Sequence, residues 1–219
     1  MAGTLYQSFG RATAATRRAL AAEEAIRVLK SGETMPGSLL AYGNGRSYGD
    51  TCQNVQGRVV DMRGRNRIPS FNPEEGLLKA EAGVMLAEII DMVAPHGWFP
   101  AVVPGTRFVT LGGAIANDVH GKNHHRRGTF GCHVEALTLL RSDGTRHECR
   151  ADTNGDLFRA TIGGMGLTGL ILDATIRLMK VGCADVEECV TGFSSLADYF
   201  DLAADADARN EYAVAWIDQ

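Results

Sequence analysis

Between residues 102 and 131 the chain reads VVPGTRFVTLGGAIANDVHGKNHHRRGTFG, and no strand or helix periodicity runs through most of it. Six glycines and one proline interrupt it, and only residues 111–117 have the spacing of a short helix. A segment this long without its own periodic structure is uncommon inside a compact domain and usually functional. The fold must therefore supply short regular elements on either side that hold a long glycine-rich loop in place.

Those flanking elements are legible. Residues 38–42 (SLLAY), 58–62 (RVVDM) and the start of 77–84 (LLKAEAGV) are short apolar runs that predict strands. Residues 21–29 predict an amphipathic helix. Leu86, Ile89, Ile90 and Val93 share one face of a second helix, which Pro95 and Gly97 stop. Downstream, residues 134–140 and 145–149 flank Asp143 and Gly144, the turn of a hairpin. Residues 156–163 predict a short helix. Residues 169–181 predict a strand with Leu170, Leu172, Ala174, Ile176 and Leu178 on one face. Beyond Val181 the character changes to strand, acidic helix, strand. We divide the chain into residues 1–180 and a second unit, 181–219, that has barely begun at Gln219. Short strands alternating with helices indicate α/β or α+β layering.

Bulk properties remove several functions. The net charge of −4 argues against nonspecific nucleic-acid binding, which rests on neutralising phosphates. Five scattered cysteines without a C-x-x-C suggest a reduced, cytoplasmic chain rather than a disulfide frame or zinc ribbon. No apolar run is long enough to span a bilayer. Arg17–Arg18 resembles a twin-arginine signal only superficially, because Glu23 and Glu24 follow where an apolar core should be. An organellar presequence in the acid-poor first twenty residues remains a second reading.

Three motifs bear on chemistry. Residues 164–169, GMGLTG, match G-x-G-x-x-G, but a period-two strand follows where a dinucleotide fold needs a helix. A tight turn feeding a strand explains these glycines, and such a turn can also pass close to a flat ring. Residues 43–50, GNGRSYGD, can present successive backbone N–H groups as a concave anion nest; alone, they also suit a surface turn. The long loop again mixes small with polar residues. Two such loops after strands suggest a diphosphate held mainly by main chain, which suits an acidic protein. His120, His124 and His125 invite a metal, yet Gly121 disfavours a helix there and only Asp118 is a nearby acid, so no metal is expected. Lys122, Arg126 and Arg127 read as solvated, or as a contact for an anionic substrate group.

Taken together and in this order, GNGRSYGD, the 102–131 segment and GGMGLTG resemble the FAD-linked oxidases of the vanillyl-alcohol-oxidase superfamily, with its PCMH-type FAD-binding domain. HGKNHH, preceded by GGAI and followed by G-x-FG, is similar to the branch acting on lipid-linked ribose; SFGR near the start fits too. The likeness is dense from about residue 5 to Val181 and thinner to Gln219. It implies an α+β fold: an FAD-binding domain of two α/β subdomains with the diphosphate between them, then the start of an antiparallel-sheet substrate domain.

By that resemblance, Gly43, Asn44, Gly45, Arg46, Ser47, Tyr48 and Gly49 bind diphosphate and adenosine. Gly105, Thr106, Thr110, Leu111, Gly112 and Gly113 line the diphosphate and ribityl path. Asn117, Asp118, Val119 and His120 run beside the flavin, and Ile171 packs near the adenine end or the ring. Many relatives tether FAD through a histidine in the first loop; Arg46 stands there instead, which implies noncovalent FAD. The expected activity is oxidation of a sugar alcohol or lipid-linked sugar by hydride transfer to flavin N5. His120 is the catalytic candidate, as a base or, preferably, as a group that orients substrate or tunes the flavin. The family's substrate-activating lysine belongs to a C-terminal half expected beyond Gln219. The resemblance also implies a reductase partner and leaves open peripheral membrane association and a homo-oligomer formed through uncovered apolar surface. Two alternatives stand: a sugar-lactone or alditol oxidase of the same fold, and an FAD-binding module without turnover.

Overall fold

The computed structural model describes residues 6–11, 18–33 and 36–217. Arg17 and much of the acid-poor opening therefore lie outside the described residues. The chain forms two sheets. In the first, β1 (Ala19–Ala21), β2 (Leu39–Tyr42) and β3 (Arg58–Asp61) are parallel, with β3 in the middle. Parallel strands need a crossover, and α1 (Ala22–Ser31) leaves β1 directly and carries the chain to β2 on the far side of β3. Its Ala22, Ala25, Ile26 and Val28 are buried while Glu23, Glu24 and Arg27 face solvent. Gly32 ends it in the left-handed region, its N–H donating to the Leu29 carbonyl.

The second sheet is antiparallel: β4 (Ser70–Asn72), β5 (Leu77–Glu81), β6 (Trp98–Pro100), β7 (Val134–Leu140), β8 (Arg146–Cys149) and β9 (Leu170–Lys180). Its order is β4-β5-β9-β7-β8, with β6 beside the far end of β9. The long β9 is thus central. Leu170, Leu172, Ala174, Ile176 and Leu178 are buried, as the alternation predicts. Ile171 and Asp173, on the other face, are buried too. Asp173 is compensated by the Thr138 hydroxyl at 3.0 Å and by Lys79 at 3.2 Å, as a buried charge requires.

Three helices complete the packing: α2 (Leu86–Val93), α3 (Leu111–Ala116) and α5 (Gly155–Thr161). One apolar core joins both sheets, running from Leu20, Ile26 and Val60 to Leu78, Leu111, Leu137 and Ile176. A single helical turn, α4 (His124–Arg127), follows α3 in sequence even though Gly121 disfavours helix nearby. The last element is α6 (Leu196–Arg209), started by Ser195, whose side chain accepts the Asp198 N–H.

One sequence expectation fails, and three short strands lie outside any expectation. The three-residue strands β1, β4 and β6 were not foreseen, since three residues carry too little periodicity to read. The strands expected on both sides of α6 are absent among the described residues, which hold no strand after Lys180. A strand needs a neighbour for its main-chain groups. Here the Ala213 N–H goes to the Lys122 carbonyl at 3.0 Å instead.

Candidate functional site

The two glycine-rich loops meet. β2 delivers residues 43–50 to the first sheet's end, where the Tyr42 hydroxyl donates to the Gln7 carbonyl at 2.7 Å. The Phe9 N–H donates to the Ser47 carbonyl, so the SFGR segment packs on this loop. Gly43 lies so close to the second loop that a Cβ would stand 2.3 Å from Thr110 Oγ1. The Asn44 side chain donates across to the Phe108 carbonyl at 2.8 Å. Gly45 and Gly49 adopt φ of 62° and 58°. Among the described residues, the N–H groups of Asn44, Gly45, Arg46, Ser47 and Tyr48 find no acceptor. A turn with unused, successive amides is a ready anion site.

The second loop departs from the expectation of freed amides. Thr110, 2% exposed, caps α3 and accepts the Gly113 N–H. The Leu111 and Gly112 N–H groups donate to the Val84 and Ala82 carbonyls at 2.7 and 2.8 Å. These amides are committed to the scaffold. Gly105 sits in open space, and Thr106 Oγ1 accepts the Phe108 N–H. Asn117 is exposed and donates to the Gly113 carbonyl, while Asp118, at φ 41°, accepts the Gly131 N–H at 2.8 Å. The Val119 carbonyl accepts from Phe130.

Residues 163–169 form a tight turn against this assembly. The Gly163 and Met165 N–H groups donate to the Ile115 and Ala116 carbonyls at the end of α3. The turn feeds β9, so the G-x-G-x-x-G match opens a strand and no helix. Ile171, expected near the adenine or the ring, is 5% exposed within the core, because central β9 is covered on both faces.

His120 is exposed, and its main chain pairs with Thr129 to close the neck of a loop spanning 120–129. Within it the His120 and His124 rings lie edge to face at 5.8 Å, and His124 and His125 at 6.0 Å. No three-ligand metal cluster occurs among the described residues. The basic side chains refine the sequence reading: Arg126 and Arg127 are exposed, as expected of solvated residues, but their guanidinium groups are engaged within the chain. Arg126 donates to the Asp207 and Ala208 carbonyls, and Arg127 grips both carboxylate oxygens of Glu211 at 2.8 and 2.9 Å. That Arg127 bond, against some burial, holds the Glu211 carboxyl below the usual range. Lys122 is exposed, and among the described residues neither it nor Arg126 makes an ion pair, Arg126 bonding only carbonyls. Sequence reasoning missed Glu211 and Asn123, which is fully buried. A buried amide amid five charged or imidazole neighbours was the available signal.

With this geometry in view, comparison with known proteins is decisive. Residues 14–150 match the FAD binding domain family. The chain belongs to that family. Over 87% of its length it is 44% identical to the decaprenylphosphoryl-beta-D-ribose oxidase of Mycolicibacterium smegmatis, covering 42% of that protein. It is 31% identical to mouse L-gulonolactone oxidase over 62% of this chain and 30% of the relative. The mitochondrial D-lactate dehydrogenase [cytochrome] of Arabidopsis thaliana is 28% identical over 83% of this chain and 33% of the relative. The chain thus spans less than half the length of these proteins. The loop of unused amides fits this family's ligand, whose diphosphate needs donors that an acidic surface would otherwise lack. Among the described residues no helix is long and apolar enough to cross a membrane.

Proposed function

We propose that this FAD-binding domain holds FAD noncovalently and serves an enzyme that oxidises a hydroxyl of a sugar or lipid-linked sugar. The observation that carries the reading is the row of unused amides from Asn44 to Tyr48, set where the first loop touches Thr110. The diphosphate lies against these N–H groups, and Arg46 stands where a tethering histidine would be. Gly105, Thr106, Thr110, Leu111, Gly112 and Gly113 wall the path toward the flavin, with Gly112 and Gly113 acting through shape. Asn117, Asp118, Val119 and His120 flank the ring. FAD, when bound, supplies a two-electron acceptor for hydride leaving the substrate carbon.

His120 is accessible and makes no ion pair among the described residues, so it is free to hydrogen-bond a substrate hydroxyl. Lys122 offers a charge for an anionic group such as a phosphoryl linkage. A lipid-linked substrate would bring the protein to a membrane surface, and a reductase partner would return the oxidised sugar to the alcohol level. Residues 181–219 are assigned to the start of the substrate domain. The test is the visible spectrum of the protein with added FAD, followed by acid precipitation. A flavin spectrum with the flavin released into the supernatant is expected. A colourless protein overturns the cofactor, and flavin retained in the pellet overturns noncovalent attachment.

A further inference from the structure

We propose that Glu211 is a positioning residue for the 120–129 loop, fixing His120 and Lys122 for the cofactor site; this rests on the reading of that site given above. The loop is closed at its neck by the His120–Thr129 pairing, with α4 as its body. At its centre Asn123 is fully buried. Its amide nitrogen donates to the Ala101 carbonyl on one side and to Glu211 Oε1 on the other, both at 2.9 Å. Both partners are acceptors, which fixes the amide's orientation and leaves its oxygen buried without a partner. The same carboxylate takes both bonds from Arg127.

What holds the distant segment in place decides how much Glu211 matters. α6 contributes no buried residue, so its docking does not rest on apolar packing. It rests on polar contacts to the loop: Arg126 on the carbonyls ending α6, the Ala213 N–H on the Lys122 carbonyl, and Glu211 between Asn123 and Arg127. The side-chain contacts join residues 81 to 88 positions apart, so none forms without closing a long stretch of chain. Glu211 ties two residues of the loop through one carboxylate, at 2.8 to 2.9 Å, whereas Asp207 reaches Arg126 with its carbonyl at 3.3 Å and His125 with its carboxylate only at 3.7 Å. Its hold passes to His120 by two routes: through α4 to the His124 ring edge, and through Asn123 to the adjoining Lys122 main chain.

The experiment uses the full chain with Glu211→Ala and Glu211→Gln. Glutamine keeps an acceptor for Asn123 but removes the charge facing Arg127, and it serves if the alanine variant does not fold. Two readouts are taken without FAD: the rate of tryptic cleavage after Arg126 and Arg127, and the His120 ring C–H resonance, assigned with His120→Gln. Loss of charged hydrogen bonds should open the loop, so cleavage about tenfold faster in Glu211→Ala is expected, with Glu211→Gln between. The His120 resonance should move in the same order. Faster cleavage with an unmoved His120 resonance overturns the positioning role, since Glu211 then only latches a surface segment. No change in either readout overturns the proposal outright. FAD titration of the parent follows separately: failure there removes the cofactor reading while the His120 readout still decides the role of Glu211.

Discussion

The first and second glycine-rich loops are alike in composition and opposite in what their glycines do. In residues 43–50, Gly45 and Gly49 take left-handed φ values and the turn leaves a run of N–H groups without acceptors. In residues 111–113 the amides are spoken for, and Gly112 serves to bring the helix against Ala82, where a Cβ would stand 2.9 Å from the Ala82 Cβ. One loop leaves its donors unused; the other commits them to the scaffold. Small residues next to hydroxyls thus occur equally in a loop with unused amides and in one whose amides are committed, and only hydrogen-bond accounting separates them.

The comparison is broken most severely by disturbing the platform beneath the second loop. Gly83 lies between the two residues whose carbonyls accept the α3 amides, and a Cβ there would stand 2.0 Å from the Met62 carbonyl oxygen and 2.7 Å from that of Arg65. Backbone cannot yield as a flexible side chain can. Gly83→Ala should lose about 3 kcal/mol in urea unfolding. A loss below about 1 kcal/mol would mean the platform gives way easily and the wall is not rigid. Gly45→Ala comes next. It combines a φ of 62° with contacts of 2.2 Å to the Tyr42 hydroxyl and 2.4 Å to the Gln7 carbonyl. About 2 kcal/mol of stability and about tenfold of FAD affinity should go together, because the turn that aligns the free amides is lost. Unchanged FAD affinity would remove the first loop as the donor loop.

Thr110→Val sharpens the contrast at smaller cost. It deletes the α3 cap and should cost about 1 kcal/mol in thermal or urea unfolding. If the wall acts through shape, FAD affinity should fall less than in Gly45→Ala. An equal or greater fall would mean the Thr110 hydroxyl itself contacts the cofactor, making the second loop a donor loop as well.

Much of this architecture was legible before any coordinates. β2, β3, β5, α2, the β7–β8 hairpin and β9 all follow from period-two or period-3.6 runs bounded by glycine, proline or Asp143–Gly144. Both loops stood out for lacking such periods. What escaped falls into two kinds. Three-residue strands such as β6 are defined by their neighbours, since Trp98 and Phe99 pair with β9 only after the chain has travelled far. The fates of Arg126, Arg127 and Glu211 were invisible for a similar reason: the arginines' bonding partners lie 81 to 84 residues later. Periodicity reports local burial, whereas ion pairs and amide accounting are facts of tertiary structure. The strands expected around α6 failed on the same ground, since alternation such as EYAVAWID cannot create the neighbour that a strand requires.

The smallest effect tests whether the second loop is also stiffened from outside. The Glu211 carboxyl is held low first by Arg127 and then, against some burial, by Asn123. Its folded pKa therefore lies below that of the unfolded chain, which is about 4.3 for a glutamate. The stabilisation it brings is fully present above the unfolded value and is lost as pH falls through the folded one. The carboxylate is partly exposed, so solvent screening keeps the contribution below about 1 kcal/mol. The Glu81 carboxyl is also held low, chiefly by Arg67, and it titrates in the same acidic window. Amide resonances separate the two: Glu211 and Ala213 report the docked segment, and Leu78 reports the sheet beside Glu81. Between pH 6 and pH 3 the Glu211 and Ala213 signals should move toward undocked positions. In Glu211→Gln they should sit nearer those positions already at pH 6, without a titration step of their own. If they shift only together with Leu78, the segment falls with the sheet, and the outer face of the second loop owes its stiffness to the core rather than to Glu211.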